Sequence, residues 1–149
     1  MTDLTARESI EIEAPPARVW RVLTEPELTR RYMFGCVPVT DWKVGGTLDW
    51  RGTLDGRDHV FVSGQLLSVE PPSLLRYTTY DPAAATPDPA AQRVVVTIRL
   101  SAPRPGMTRL DVTQGDFAGL PEAERRYEET RSGWRAVTPQ IKAISESLT

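Results

Sequence analysis

The chain has 149 residues, 40% of them apolar and 26% charged, with a formal net charge of −2 and a pI near 5.5. That length suits one domain, residues 1–149, burying roughly two-thirds of its unfolded surface without staples, and the charge gives no basic field for nucleic acid. A lone cysteine (Cys36) and a lone histidine (His59) exclude an intrachain disulfide, a thiolate metal cluster and most histidine-based metal or triad sites.

Residues 9–14 alternate, with Ile10 and Ile12 on one face and Glu11 and Glu13 on the other, which predicts a half-buried strand. Pro15 and Pro16 end it, and Pro16 can open a helix because its missing N–H would lack a partner there anyway. Val19, Trp20 and Leu23 recur at helical spacing until Glu25-Pro26, where a second short helix starts with Leu28, Tyr32 and Met33. Strands follow over 37–44 and 47–51, separated by the turn dipeptide Gly45-Gly46. After a turn at 54–57, a strand over 60–69 is long enough to bend, and Gly64 inside it suits a bulge or a close approach.

A turn at 70–73 leads to a strand over 74–80, then to an Ala- and Pro-rich loop over 81–91. Residues 92–101 alternate cleanly, with Val94, Val96, Ile98 and Leu100 on one face; the last strand, 107–114, carries Leu110 and Val112. From Pro121 the pattern turns helical: Tyr127, Trp134, Val137, Ile141, Ile144 and Leu148 form an amphipathic stripe. Pro139 interrupts that stripe and predicts a kink or break, with local opening of the helix as a gate. The charged run over 122–129 reads as a solvated helix face with i,i+3 and i,i+4 pairs.

No run approaches the roughly 20 apolar residues of a membrane span, and residues 1–8 lack the apolar core of a signal peptide. The expected address is the cytoplasm. No phosphate-cradling glycine loop, carboxylate pair or nucleophile–base pairing stands out, so no catalytic residue, cofactor or metal is assigned. His59 follows Asp55-Gly56-Arg57-Asp58 and reads as a loop end or exposed strand start, although its type suits a general base. Cys36 reads as a buried structural thiol.

Five stretches carry a family resemblance: APPARVWRVLTEP over 14–26, WKVGGT over 42–47, GQLLSVEPP over 64–72, TRLDVTQG over 108–115, and Gly133-Trp134. In this order they resemble the helix-grip superfamily of START-like and birch-pollen-allergen-like domains (SRPBCC). The branch they look like is the domain shared with activators of the ninety-kilodalton heat-shock-protein ATPase. The resemblance implies an α+β helix-grip fold: a curved antiparallel sheet of six to seven strands around a long C-terminal helix, with two short helices after the first strand. Tyr32 stands where this branch usually shows a tryptophan, which predicts a more polar cavity rim.

On that fold the concave sheet face looks at the helix, and the space between them is expected to enclose a small apolar ligand: a lipid, a polyketide or an aromatic molecule. The expected lining is Leu75, Val96, Ile98, Leu110, Val137 and Ile141 with Trp50 and Trp134, and with Tyr77, Thr79 and Gln114 as polar guides. The polar groups could instead satisfy one another. Trp20, Trp42 and Trp134 also read as core anchors. The superfamily spans carriers, cyclases and co-chaperones, so two alternatives stand: a cyclase- or lyase-like enzyme testing Tyr77 or His59 as acid or base, and a chaperone-docking module. No nucleic-acid or integral-membrane partner is expected, and a homodimer is allowed.

Overall fold

Side-chain alternation sets which face of each strand is buried, and the structure, a computed structural model, describes residues 3–148. The elements run β1 (Ala6–Ile12), α1 (Pro16–Thr24), α2 (Pro26–Thr29), β2 (Val37–Val39), β3 (Thr47–Leu54), β4 (Arg57–Glu70), β5 (Leu74–Thr79), a 3₁₀ turn (Pro89–Gln92), β6 (Val94–Ser101), β7 (Thr108–Gly115) and α3 (Ala123–Ser147). The seven strands form one antiparallel sheet in the order β1-β7-β6-β5-β4-β3-β2. This is the expected α+β helix grip.

Both short helices begin at a proline, Pro16 and Pro26, whose fixed φ and missing N–H suit the first turn. The first presents Val19, Val22 and Leu23 to the core. Val94, Val96, Ile98 and Leu100 on β6 are all buried on one face, as the alternation requires, and β7 buries Thr108, Leu110 and Val112. The Thr108 hydroxyl, fully buried, donates to the Ala14 carbonyl at 2.7 Å and ties the start of β7 to the end of β1.

Curvature comes from β4. Its register slips twice: Phe61 is the extra residue between the pairs Trp50–Val62 and Arg51–Val60, and Leu67 between Leu66–Tyr77 and Ser68–Arg76. Each bulge bends the strand and adds twist. Between them Gly64 meets β5 so closely that a Cβ there would lie 1.7 Å from the Thr78 carbonyl oxygen.

Three local expectations are corrected. The second strand is only Val37–Val39, because the chain then turns through Trp42, whose φ is +60°. Tyr32 is not a polar rim: it is buried, and its hydroxyl donates to the Val22 carbonyl at 2.9 Å. The helix does not break at Pro139 but runs unbroken from Ala123 to Ser147. Pro139 and Arg135 are both exposed, so the Arg135 carbonyl that loses its helical donor faces the solvent side, where water can serve it. A gate hinged there has no footing, since Thr138 and Ile141 beside it are packed in the core.

Gly64→Ala should lose about 2 kcal/mol of stability or more, since the clash is with backbone rather than a flexible side-chain tip. Urea unfolding checks this, and wild-type stability in the variant would rule out the close approach.

Candidate functional site

The position of α3 creates the site. Most of its contacts are with β1 and α1, and only a few with β7. Its C-terminal half packs Val137, Ile141 and Ile144 into the core beside Ile12, Leu110 and Val112. Its N-terminal half stands off the sheet, and a cavity of about 570 Å³ lies between them. One wall is Trp50 on β3, Phe61 and Val62 on β4, Tyr77 and Thr79 on β5, Val94 and Val96 on β6, and Gln114 on β7. The facing wall is α3 from Glu122 to Trp134. Phe34 stands at the edge, 79% exposed, at a φ of +54° that only a tight turn before Gly35 imposes.

A single row of paired residues, Tyr77–Val96–Gln114, runs across the sheet along the cavity floor. The next buried row, Leu75–Ile98–Val112, is closed by side chains. Trp50, Tyr77, Thr79, Val96, Gln114 and Trp134 therefore share the cavity, while Leu75, Ile98, Leu110 and Ile141 sit in the packed half. Val137 reaches only a smaller adjoining hollow of about 170 Å³, which shares Gln114 and Trp134 with the main cavity.

The polar groups are linked. The Trp134 indole N–H donates to Gln114 Oε1 at 2.8 Å, and Gln114 Nε2 donates to Thr79 Oγ1 at 3.3 Å. This chain joins α3 to β7 and β5 across the cavity end. It leaves the Thr79 hydroxyl proton free to serve an acceptor. His59 lies outside the lining, on β4, packed edge-on against Phe61 with ring centroids 4.5 Å apart. Cys36 is buried and also lines the cavity; burial pushes its thiol up, away from a nucleophilic thiolate.

Most of the lining escaped the sequence reading, Phe34, Phe61, Phe117 and Arg126 among it. Phe61 is there because the β4 bulge shifts the alternation by one residue, and the length of that strand was the only hint. Phe117 belongs to the β7–α3 connection, where no periodicity applies, and Arg126 sits in the charged run of α3 read as a solvated face but lines the cavity instead.

The sequence matches the family described as "Activator of Hsp90 ATPase homolog 1-like protein" over residues 13–146. The chain belongs to this family. A solved structure from Cytophaga hutchinsonii is 31% identical with a TM-score of 0.78, covering 98% of this chain and 97% of that one. A protein from Mesorhizobium loti is 28% identical, TM-score 0.74, covering 97% and 99%. An HSP90 activator from Plasmodium falciparum is 17% identical, TM-score 0.71, covering 94% of each chain, and shows likeness of fold alone. No curated protein matches the sequence.

In this member of the Hsp90-activator-homolog-like family, Tyr77 is a phenol set into the cavity floor, with only 3% of its surface exposed. Burial raises its phenol well above the ordinary value, and the Trp50 indole, hydrogen-bonding to it, acts in the opposite sense. Burial raises Tyr32 likewise, the neighbouring Tyr77 adding to it. Tyr77 is therefore a neutral hydrogen-bond donor rather than a base near neutral pH.

Both phenols bind their protons more tightly folded than unfolded. Their contribution to stability is thus full below the ordinary phenol value of 10.0 and is lost as the pH climbs above it toward the folded values. In an alkaline titration followed by tyrosinate absorbance, two of the four tyrosines should ionise only with unfolding. All four ionising in the folded protein would contradict this. Gln114→Leu should strand the Trp134 N–H and cost about 1–3 kcal/mol, with a shift in tryptophan emission; urea unfolding and fluorescence measure both.

Proposed function

We propose that this protein binds a small, mainly apolar molecule in the cavity between the sheet and the N-terminal half of α3. The observation that carries the reading is the cavity itself. At about 570 Å³ it falls within the range of roughly 300–1,000 Å³ usual for small-ligand sites. Aromatic and aliphatic side chains make the larger part of its walls, with polar groups among them of the kind that orient a ligand. Tyr77 and the free proton of Thr79 are placed to donate to a ligand carbonyl or hydroxyl. The core rows beyond Tyr77–Val96–Gln114 support the site without touching the ligand.

Of the two residues the sequence offered as acid or base for an enzymatic reading, Tyr77 lines the cavity, as a neutral donor, and His59 does not. We give that reading second place. The co-chaperone reading rests on the family description and on a structure at 17% identity, and we place it third. Among the described residues no helix is long and apolar enough to cross a membrane; we propose a cytoplasmic protein from its ordinary globular composition.

Native mass spectrometry of the purified protein, followed by denaturing extraction, tests the reading, as does titration of the Trp50 and Trp134 fluorescence with aliphatic and aromatic probes. Binding should be one-to-one. Val96→Trp, which places an indole in the cavity, should leave the fold intact and weaken binding about tenfold or more, the loss of well over 1 kcal/mol of apolar contact. A folded Val96→Trp that binds as well as the wild type would move the site elsewhere, and an absence of binding by every probe would defeat the proposal.

A further inference from the structure

The cavity floor is polar in one direction only. An indole donates a hydrogen bond and accepts none, and two indoles set the sense of the groups beside them. The Trp134 N–H takes Gln114 Oε1 at 2.8 Å, so the amide turns its Nε2 protons toward Thr79 Oγ1, 3.3 Å away. The Trp50 indole bonds in the same sense to the Tyr77 oxygen, loosely enough that both atoms keep surface open to the hollow. Each run starts at a tryptophan and ends at a hydroxyl whose oxygen accepts and whose own proton is left over.

Tyr77 and Thr79 lie two residues apart on β5 and so share one side of the sheet, the side that faces the cavity. They are 3% and 8% exposed, and no described residue accepts either proton. Water can serve such protons in the free protein, and a molecule that displaces it loses affinity unless it brings an acceptor of its own. The carboxylates in the lining are elsewhere: Asp81 belongs to the loop before β6, Glu122 and Glu129 to the facing wall. These three acids stand against two guanidinium groups, on Arg125 and Arg126, which leaves no net positive charge to hold an anion.

We propose that the cavity ligand is an uncharged carbonyl compound, an apolar ketone or ester whose oxygen accepts from the Tyr77 hydroxyl, with Thr79 the second donor along β5. The inference rests on the ligand-binding reading above and narrows the ligand to an acceptor. A carbonyl oxygen has two lone pairs and no proton, so it meets a floor of donors with nothing left over. An alcohol of the same shape also brings a proton, which finds no acceptor on the floor. A carboxylate meets the acids of the facing wall, and an ammonium group meets the protons of the floor.

The test uses three probes on one skeleton: ethylnaphthalene, acetylnaphthalene and naphthylethanol. Calorimetry gives their affinities, and the infrared stretch of an isotope-labelled carbonyl reports on the bound ketone. In the wild type the ketone should bind about tenfold or more tightly than the alcohol. Its stretch should fall below the value in hexane, the mark of a hydrogen-bonded oxygen. Tyr77→Phe should move the stretch back toward the hexane value and lower the ketone-to-hydrocarbon affinity ratio about tenfold. A ring that only packs would move neither, because altered packing changes both probes alike. A wild-type protein that binds the hydrocarbon but not the ketone, holds the ketone at its hexane stretch, or binds the alcohol as tightly would overturn the inference while the ligand-binding reading stands. These arms need no variant to fold. A folded Tyr77→Phe that keeps the wild-type stretch would overturn it too. If none of the three probes binds, the cavity reading falls and this inference with it.

Discussion

Everything distinctive in this molecule follows from where α3 is seated. An antiparallel sheet with one apolar face needs a cover, but a single helix is narrower than seven strands. Here α3 is held to one edge. Near its C-terminus Glu146 accepts the Glu13 backbone N–H at 2.8 Å, and Lys142 donates to the Glu11 carbonyl at 3.2 Å. Beneath these exposed ties, Ile141 and Ile144 enter the core. The surface contacts fix position rather than supply much energy; the buried side chains supply that. With the C-terminal half committed to β1 and α1, the N-terminal half cannot also close on β3–β6. The cavity is the volume this geometry leaves.

The curved sheet makes that volume deep. The bulges at Phe61 and Leu67 and the contact at Gly64 turn β4 toward the helix side. They also bring Phe61 and Val62, neighbours in sequence, into the same wall, which a flat strand would send to opposite faces. Curvature and site composition thus have one cause.

Much of the architecture was legible because period-2 alternation reports directly which residues face inward. Val94, Val96, Ile98 and Leu100 are the clear case, and the prolines that open α1 and α2 are another. Alternation does not say which end of a strand the helix will cover. Leu75 and Tyr77 carry the same signal and differ only in that α3 and its neighbours close over the first. The bulges shift the phase without a sequence mark of their own beyond Gly64. Pro139 was read from local rules alone; the Arg135 carbonyl it leaves unpaired is harmless because that face of the helix is outside. Tyr32 was placed by analogy, while the carbonyl that holds it, on Val22, comes from tertiary packing.

The row Tyr77–Val96–Gln114 has a consequence for how such a protein can change over generations. On one side of it, substitutions alter the shape and polarity of a hollow; on the other, they alter a filled interior. Changes at sites well separated and without shared partners add nearly independently. A lineage can therefore gain stability from residues around Leu75 and Leu110 and use that reserve to accept costly replacements around Trp50 or Thr79. One scaffold would then vary the shape of its hollow while its folding remains almost untouched, the two properties residing at opposite ends of the same strands.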